Sequence, residues 1–244
     1  MKILALNSSP RRGQGGTALL LDAFLEGMRQ AGADVELVYL HGLEIKPCLG
    51  CFHCWTKTPG RCVQDDDMAT LLPDHQSADV VVYATPLYVD GMNGTMKTFL
   101  DRSIPLLEPF FELRDGHCRH PRCGGPENGK VVLVSVCGFT ELENFDPLVA
   151  HVKAVCLNLG REYSGALLRP YGASLPALEK HGIPVADVLS AAEEAGRQLA
   201  EQGHMDEETL RRVSAELIPR QQYVAVVNTS FRRMLDKPAP SGRQ

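Results

Sequence analysis

The first seventeen residues constrain the fold more than any other stretch of the sequence. A short apolar run begins at Lys2, as expected of a buried parallel strand whose two faces are both covered. Residues 8–17 follow with hydroxyl groups, two arginines and three glycines, and a helical pattern covers 18–28. Backbone N–H groups and the dipole at such a helix start favour an anion. We therefore predict that residues 8–17 bind a phosphate group.

The phosphate could be part of a dinucleotide, because residues 13–18 match G-x-G-x-x-A. However, the dinucleotide fingerprint starts at the strand end and has an acidic residue closing the second strand about 20 residues later. Here five residues separate the strand from Gly13, and Asp34 and Glu36 open the second strand instead. The sequence contains no Gly-Lys-Ser/Thr, so a Walker A loop is missing. It also contains no tyrosine with a lysine four positions later, so the short-chain dehydrogenase signature is missing. A glycine-rich turn without ligand remains an alternative, and we favour a mononucleotide phosphate.

Composition restricts the class of protein. The 244 residues suffice for one large α/β domain, and a net charge of −5 argues against a nucleic-acid surface. No apolar run reaches the ~18 residues of a membrane span. Eight cysteines with no secretory signal lead us to expect a cytoplasmic protein in which cysteines bind metal or do redox work.

Strand and helix patterns alternate five times along the chain, which predicts a doubly wound parallel sheet. We expect a main domain over 1–203 with a cysteine-rich insertion at 44–67, then a helical extension and mobile tail over 204–244. The predicted strands are the run from Lys2 and residues 34–40, 79–84, 130–136 and 162–168. The predicted helices are 18–28, a helix to Leu72 that Pro73 breaks or restarts, 93–107, 145–159 and 185–202.

The insertion contains four cysteines in a metal-binding pattern, namely Cys48, Cys51, Cys54 and Cys62. Two successive two-residue gaps arrange three sulfurs around one centre, as in ferredoxin runs that hold a [4Fe–4S] cluster. A zinc ribbon usually has two separate Cys-x-x-Cys knuckles. The cluster, zinc and reduced thiols all remain open. His117-Cys118-Arg119-His120, followed by Cys123, is a second group of soft ligands, which we interpret as a loop with polar contacts.

Three motifs together resemble a known family. They are Ser8 to Thr17, the segment 85–94 (TPLYVDGMNG) with 97–102 (KTFLDR), and the cysteine loop. On these motifs residues 1–200 resemble the flavodoxin-like NAD(P)H-dependent FMN reductase superfamily, and within it the iron–sulfur flavoproteins. The resemblance implies strand order 2-1-3-4-5 and non-covalent FMN at the carboxyl ends of the strands. It also implies a homodimer or homotetramer in which the cysteine loop approaches a neighbour's flavin.

The resemblance assigns residues to each part of the cofactor. Ser9, Arg11, Gly16 and Thr17 would hold the FMN phosphate, and Gly138 would approach the pyrimidine edge of the ring. The residues that would border the ring are Pro86, Leu87, Tyr88, Gly91 and Met92.

The function expected from these assignments is FMN-dependent electron transfer with a [4Fe–4S] cluster as one-electron relay from a donor such as ferredoxin. The first alternative is a cluster-free NAD(P)H-dependent FMN, quinone or azo reductase. The second is a flavin-binding electron carrier or regulatory module without turnover. The acceptor, the role of residues 117–120 and the role of the extension do not follow from the sequence.

Overall fold

Five parallel strands form the central sheet of the computed structural model, which describes residues 1–180, 183 and 185–236. They are β1 (Lys2–Asn7), β2 (Asp34–Tyr39), β3 (Val80–Tyr88), β4 (Lys130–Val136) and β5 (Glu162–Arg169). Their order is β2-β1-β3-β4-β5, so the predicted doubly wound topology is confirmed. The order reverses between β1 and β3, and in such sheets ligands bind at the carboxyl ends beside that reversal.

Helices cover both faces of the sheet. Their bounds are α1 (Gly16–Gln30), α2 (His53–Thr56), α3 (Met68–Ser77), α4 (Gly94–Asp101), α5 (Asp146–Leu159), α6 (Leu175–Lys180), α7 (Ala186–Gln202), α8 (Glu207–Val213) and α9 (Arg220–Leu235). One hydrophobic cluster joins the sheet to α1 and α7, and a second joins it to α3, α4 and α5. The strand residues between these clusters are buried on both sides, which explains the continuous apolar runs in the sequence.

The contact between α1 and α7 is unusually close. A Cβ atom added to Gly196 of α7 would overlap the backbone oxygen of Phe24, and one added to Gly27 of α1 would overlap that of Glu193. Two helix backbones therefore touch where both sequences place glycine. Elsewhere on this face larger side chains fill the space, including Phe24 and Leu199, both buried.

Two predicted helices differ from the observed ones. The helix predicted over 93–107 ends at Asp101, and a separate 3₁₀ turn covers Ile104–Leu106. Pro105 explains this, because it has no N–H to donate and disfavours helical backbone in the residue before it. The break or restart predicted at Pro73 is wrong, since α3 continues through it to Ser77. Buried Leu72 and His75 hold the helix on both sides of the proline.

The insertion packs against the end of α4 and the segment after it, whereas α8 of the extension packs against α7 and β5. Within residues 44–67 the only helix that the structure describes is the short α2. After Gly203 the structure places α8 and α9, with Tyr223 of α9 in a third hydrophobic cluster beside Tyr171 and Leu175. The mobile tail predicted near the end of the sequence falls at 237–244, outside the described residues. Among the helices described, none has the length and apolarity needed to cross a membrane.

Replacing Gly196 by alanine is expected to destabilise the protein. The added methyl group would force two helix backbones apart, and overpacking of this kind costs about 1–3 kcal/mol. This exceeds the gain in helix propensity of about 1 kcal/mol that alanine brings. Urea unfolding should therefore show a lower free energy of unfolding for Gly196→Ala. The matched control is Gly94→Ala, because no described atom lies within 4 Å of the added Cβ. Equal stability of the two variants would contradict the close packing.

Candidate functional site

The turn from β1 into α1 forms a cradle of backbone and hydroxyl groups. Ser9 is buried, its N–H donates to Asn7 Oδ1 (2.9 Å), and its Oγ accepts from the Arg11 N–H (3.4 Å). Gly15 precedes α1 and offers no side-chain cap, so the first-turn N–H groups have no partner within the helix. A Cβ at Gly15 would lie 3.3 Å from Arg11 and 3.4 Å from Ser9 Oγ. This geometry suits an anion.

Asn93 joins this turn to the loop that follows β3. Its Nδ2 donates to the Ser8 carbonyl oxygen (2.7 Å), and its Oδ1 accepts from the Met96 N–H (3.2 Å), which caps α4. Its own N–H donates to Thr85 Oγ1 (3.1 Å). A backbone bond from Ser8 N to Ala84 O (2.9 Å) adds to the link. All of these side chains are buried, so the ends of β1 and β3 are held in one fixed arrangement.

After β3 the chain makes a tight hairpin. Leu87 pairs with Met92 and Tyr88 with Gly91, and the two turn residues have left-handed backbone, with φ of 48° at Val89 and 58° at Asp90. This is the φ pattern of the type I′ hairpin turn. A β-branched residue is strained there, and strain of this kind clusters at functional sites. The turn leaves Tyr88 50% and Val89 100% exposed.

A cleft of about 850 Å³ opens beside the cradle. Its walls are Arg11, residues 138–141 after β4, Ser174 and one side of α9. Hydrogen bonds from the Thr140 hydroxyl and from its own backbone N–H lower the pKa of Glu141, so this carboxylate is ionised. The cleft therefore has a cation, Arg11, at the cradle end and the Glu141–Arg220 ion pair at the β4 end. Its volume is within the range of small-molecule and cofactor sites.

The four cysteines of the insertion line one small cavity together with Arg102. Arg102 also closes the base of the loop. Its Nη atoms donate to both carboxylate oxygens of Asp66 (2.6 and 3.0 Å) and to the Lys46 carbonyl oxygen (2.7 Å). Both side chains of the Arg102–Asp66 ion pair are inaccessible to solvent, and the Arg102 Nε has no hydrogen-bond partner.

Burial, and then the neighbouring Cys62 thiolate, raise the pKa of Cys54. The thiols are therefore close enough to influence one another. In the part of the chain that the structure describes, however, no three His, Cys, Asp or Glu side chains are grouped so that they could hold a metal ion. The structure thus places four thiols around one cavity.

The residues 117–120 lie in a hairpin of two short strands, Glu112–Arg114 and His117–Arg119. His120 makes an aromatic contact with Trp55 of the insertion (ring centroids 4.7 Å apart) and with Phe111 (5.0 Å). Its Nδ1 is 3.0 Å from the Phe110 carbonyl oxygen. Cys118 is exposed. His120 therefore ties the hairpin to the cysteine loop by aromatic packing.

Comparison with known proteins agrees with this arrangement. The model of a family described as NADPH-dependent FMN reductase matches residues 1–140. The chain belongs to this family. An iron–sulfur flavoprotein of Archaeoglobus fulgidus is 34% identical over 141 residues, which are 58% of this chain and 58% of that protein. The chain thus matches little more than half of that relative's length.

Solved structures share the fold of this family member at low identity. An NAD(P)H:quinone oxidoreductase from Methanothermobacter marburgensis has a TM-score of 0.60 at 19% identity, covering 84% of this chain and 99% of that one. An FMN-dependent NADH-azoreductase from Bacillus anthracis, solved in complex with FMN, has a TM-score of 0.60 at 17% identity, covering 82% and 99%. Both support the flavodoxin-like fold predicted from the motifs.

The structure brings part of the predicted site together. Ser9, Gly16 and Thr17 form the buried floor of the cradle, whereas Arg11 and Gly138 line the cleft. Among the predicted ring residues, Pro86 and Met92 are buried, Leu87 is half-buried and Tyr88 and Gly91 pair in the hairpin. In the described structure these five belong to the neighbouring hairpin and not to the cleft lining.

Three residues of the site region were not assigned from the sequence. Asn93 and Arg102 lie in the recognised motif, but their partners are far apart in the chain, at Ser8 and at Asp66. An asparagine directly before a helix is a capping signal, which could have identified Asn93. Tyr223 lies in the extension, where no motif marks it, and it donates to the Gly138 carbonyl oxygen (2.9 Å).

Breaking the ion pair at the base of the cysteine loop is expected to loosen the loop. Asp66→Asn leaves the buried Arg102 guanidinium without its counter-charge, and loss of one partner of a buried pair costs about 3 kcal/mol. Maleimide labelling of Cys48, Cys51, Cys54 and Cys62 should become faster, and urea unfolding should shift to lower concentration. Burial alone would raise the pKa of Asp66, but the hydrogen bonds from Arg102 and from the Lys46 and Met68 N–H groups, together with the Arg102 charge, lower it below the ordinary value. Wild type should therefore lose this contribution only as the pH falls below the ordinary aspartate range.

The matched control is Lys97→Ala, which breaks the exposed Lys97–Asp101 pair of the same region. Exposed pairs at this helical spacing contribute only about 0.3–0.5 kcal/mol. Labelling rates in this variant should equal those of wild type. If Asp66→Asn behaves like Lys97→Ala, the buried pair does not hold the loop.

Proposed function

We propose that this chain is an FMN-dependent oxidoreductase that transfers electrons through a non-covalently bound flavin. The observation that carries the proposal is the cleft of about 850 Å³ that runs from the α1 cradle at Arg11 to the loop at Gly138. One of its walls is the loop after β1, a strand that borders the reversal of strand order, and ligands of this fold class bind at that reversal. Family membership and the FMN complex of a structural neighbour support it.

Ser9, Arg11, Gly16 and Thr17 would hold the phosphate. The first turn of α1 offers N–H groups and the positive end of its dipole, and Arg11 adds charge-assisted hydrogen bonds. The bound cofactor would supply hydride and single-electron chemistry. Gly138 would approach the pyrimidine edge of the ring, as the family resemblance implies. The residues that would border the ring are Pro86, Leu87, Tyr88, Gly91 and Met92. The exposed, strained turn at Val89 supports this role, because the surrounding structure keeps a costly backbone beside the cradle.

The donor, the acceptor and the assembly are part of the proposal. NAD(P)H is the proposed donor, in keeping with the family description, with ferredoxin as the alternative if a cluster is bound. Quinone-like molecules are the proposed acceptors, as the name of one structural neighbour suggests. A homodimer or homotetramer in the cytoplasm, without nucleic-acid or membrane partners, completes the proposal. We assign residues 1–203 to the flavin-binding domain and 204–244 to its extension.

We further propose that Cys48, Cys51, Cys54 and Cys62 hold a [4Fe–4S] cluster that relays single electrons to the flavin. The shared cavity supports this, as does the unpartnered Nε of buried Arg102 beside it, because sulfur anions accept hydrogen bonds. The name of the relative from Archaeoglobus fulgidus agrees. The cluster-free reductase remains the second candidate. It is favoured by the lack, among the described residues, of three side chains grouped for metal.

The phosphate assignment is tested by Arg11→Ala combined with Thr17→Ala. Loss of the guanidinium and the hydroxyl should release FMN while circular dichroism shows an intact fold. Bound flavin per protein, measured by absorbance after gel filtration, should fall from stoichiometric to a small fraction. Arg12→Ala is the control, because Arg12 packs over the Tyr39 ring at 5.8 Å. Stoichiometric FMN in the double variant would show that the cradle does not bind the phosphate.

The cluster assignment is tested by anaerobic purification followed by iron and sulfide analysis. With a cluster, wild type should contain about four iron and four sulfide per chain and absorb broadly beyond the flavin bands. Cys54→Ser should lose this absorption and keep the flavin spectrum. Cys118→Ser, in the hairpin of Glu112–Arg114 and His117–Arg119, should keep both. Protein that holds flavin but no iron when purified without air would favour the cluster-free reductase.

A further inference from the structure

The C-terminal helix α9 supplies one wall of the cleft, although it lies outside the family match at residues 1–140. Its first turn is attached firmly to the site. The Tyr223 hydroxyl donates to the Gly138 carbonyl oxygen (2.9 Å) and lies 3.0 Å from Ser174 Oγ. Arg220 forms an ion pair with Glu141 at 2.8 Å. These contacts connect α9 to the same loop that we assign to the pyrimidine edge of the flavin.

The segment before α9 is attached to the sheet as well. Arg169 at the end of β5 is fully buried, and its Nη1 donates to the Val213 and Ala215 carbonyl oxygens (2.8 and 2.6 Å). The Ser214 hydroxyl donates to the Leu168 carbonyl oxygen (2.8 Å). The start of α9 is therefore placed by hydrogen bonds to the strand ends.

Beyond Tyr223, α9 turns an apolar face to the cleft. Val227, Phe231 and Met234 follow Tyr223 at helical spacing and all line the cleft. Phe231 and Met234 nevertheless remain 60% and 62% exposed, and Phe139 on the loop after β4 is 64% exposed. Large apolar side chains on more than one wall of a cleft are typical of a ligand site, because a bound molecule removes their surface from water.

We propose that Val227, Phe231 and Met234 of α9 form the binding wall for a flat, apolar electron acceptor. This inference rests on the proposed flavin site and names residues that select its second substrate. The flavin phosphate is assigned to the cradle and its ring to the loops after β3 and β4. The α9 face therefore covers the side of the cleft that remains open to a second molecule. Asn228 and Ser230 of the same helix also line the cleft. Quinone-like rings bury apolar surface against Val227, Phe231 and Met234, whereas a polar anion buries little there.

The experiment compares two acceptors on the FMN-loaded full-length protein. The protein is reduced with dithionite without air and is then mixed in a stopped-flow instrument with 2-methyl-1,4-naphthoquinone or with ferricyanide. Reduction of the quinone to its hydroquinone takes two electrons from the reduced protein and two protons from water, whereas each ferricyanide takes one electron. The quantity measured is the acceptor concentration that gives half of the maximal reoxidation rate.

For Phe231→Ala combined with Met234→Ala, we expect this concentration to rise about tenfold for the naphthoquinone, equivalent to about 1.4 kcal/mol. Ferricyanide reoxidation and the Kd for FMN should stay at their wild-type values. The matched control is Val226→Ala on the same helix, because Val226 is 57% exposed but is not among the residues that line the cleft. It should leave both acceptors unaffected.

Each other outcome has a defined meaning. If the double variant weakens FMN binding, α9 covers the flavin and the acceptor wall is disproved. If light scattering shows a smaller assembly, the apolar face is a subunit interface and the proposal fails. Equal effects on both acceptors, or none, also overturn it. If wild-type protein binds no FMN, the proposed function itself is wrong, and this is seen before any acceptor is added.

Discussion

The hydrogen bonds of the Asn93 side chain hold the site region together. At the reversal of strand order two loops leave the sheet beside each other, and their buried backbone groups need partners because an unpaired one is costly. Asn93 supplies them, donating to the Ser8 carbonyl oxygen and accepting from the Met96 N–H. An asparagine is suited to this position because its amide both donates and accepts. The cradle at the start of α1 and the β3 hairpin are therefore joined by buried hydrogen bonds.

Buried arginines attach the additional segments to this unit. Arg102 binds Lys46 and Asp66 of the insertion, and Arg169 binds two carbonyl oxygens ahead of α9. Arg161 likewise donates to the carbonyl oxygens of His75 and Ala78. A guanidinium has five N–H donors in a fixed plane, so one side chain can satisfy several carbonyls. The cost is burial, which lowers the pKa of Arg169 to about 10. Even this value keeps the side chain charged at neutral pH.

Strands, helices and turns that depend on residues close together in the sequence could be predicted. The alternating apolar runs and helical patterns predicted a doubly wound parallel sheet, the family resemblance implied its strand order, and the glycines before Thr17 predicted a cradle. Long-range contacts were not predictable in the same way. The bond from Asn93 to Ser8 joins residues 85 positions apart, and nothing near Tyr223 in the sequence indicates that it reaches Gly138. The helix predicted to Leu107 failed because apolar periodicity continues past Asp101, whereas the backbone responds to Pro105. The role of α9 could not be predicted, because the sequence does not indicate which of its apolar residues line the cleft.

The short helix α4 relates the two proposed redox sites. Asn93 caps its start and fixes the cradle, whereas Arg102 directly follows its end and closes the cysteine cavity. Eight residues at ~1.5 Å each span ~12 Å, and a single α-helical segment transmits position without a flexible joint. The helix therefore connects the base of the cysteine loop, where Arg102 pairs with Asp66, to the loop after β3, where Asn93 binds Ser8. Because both ends are anchored by hydrogen-bonded side chains, the separation of Asn93 and Arg102 is set by the length of α4.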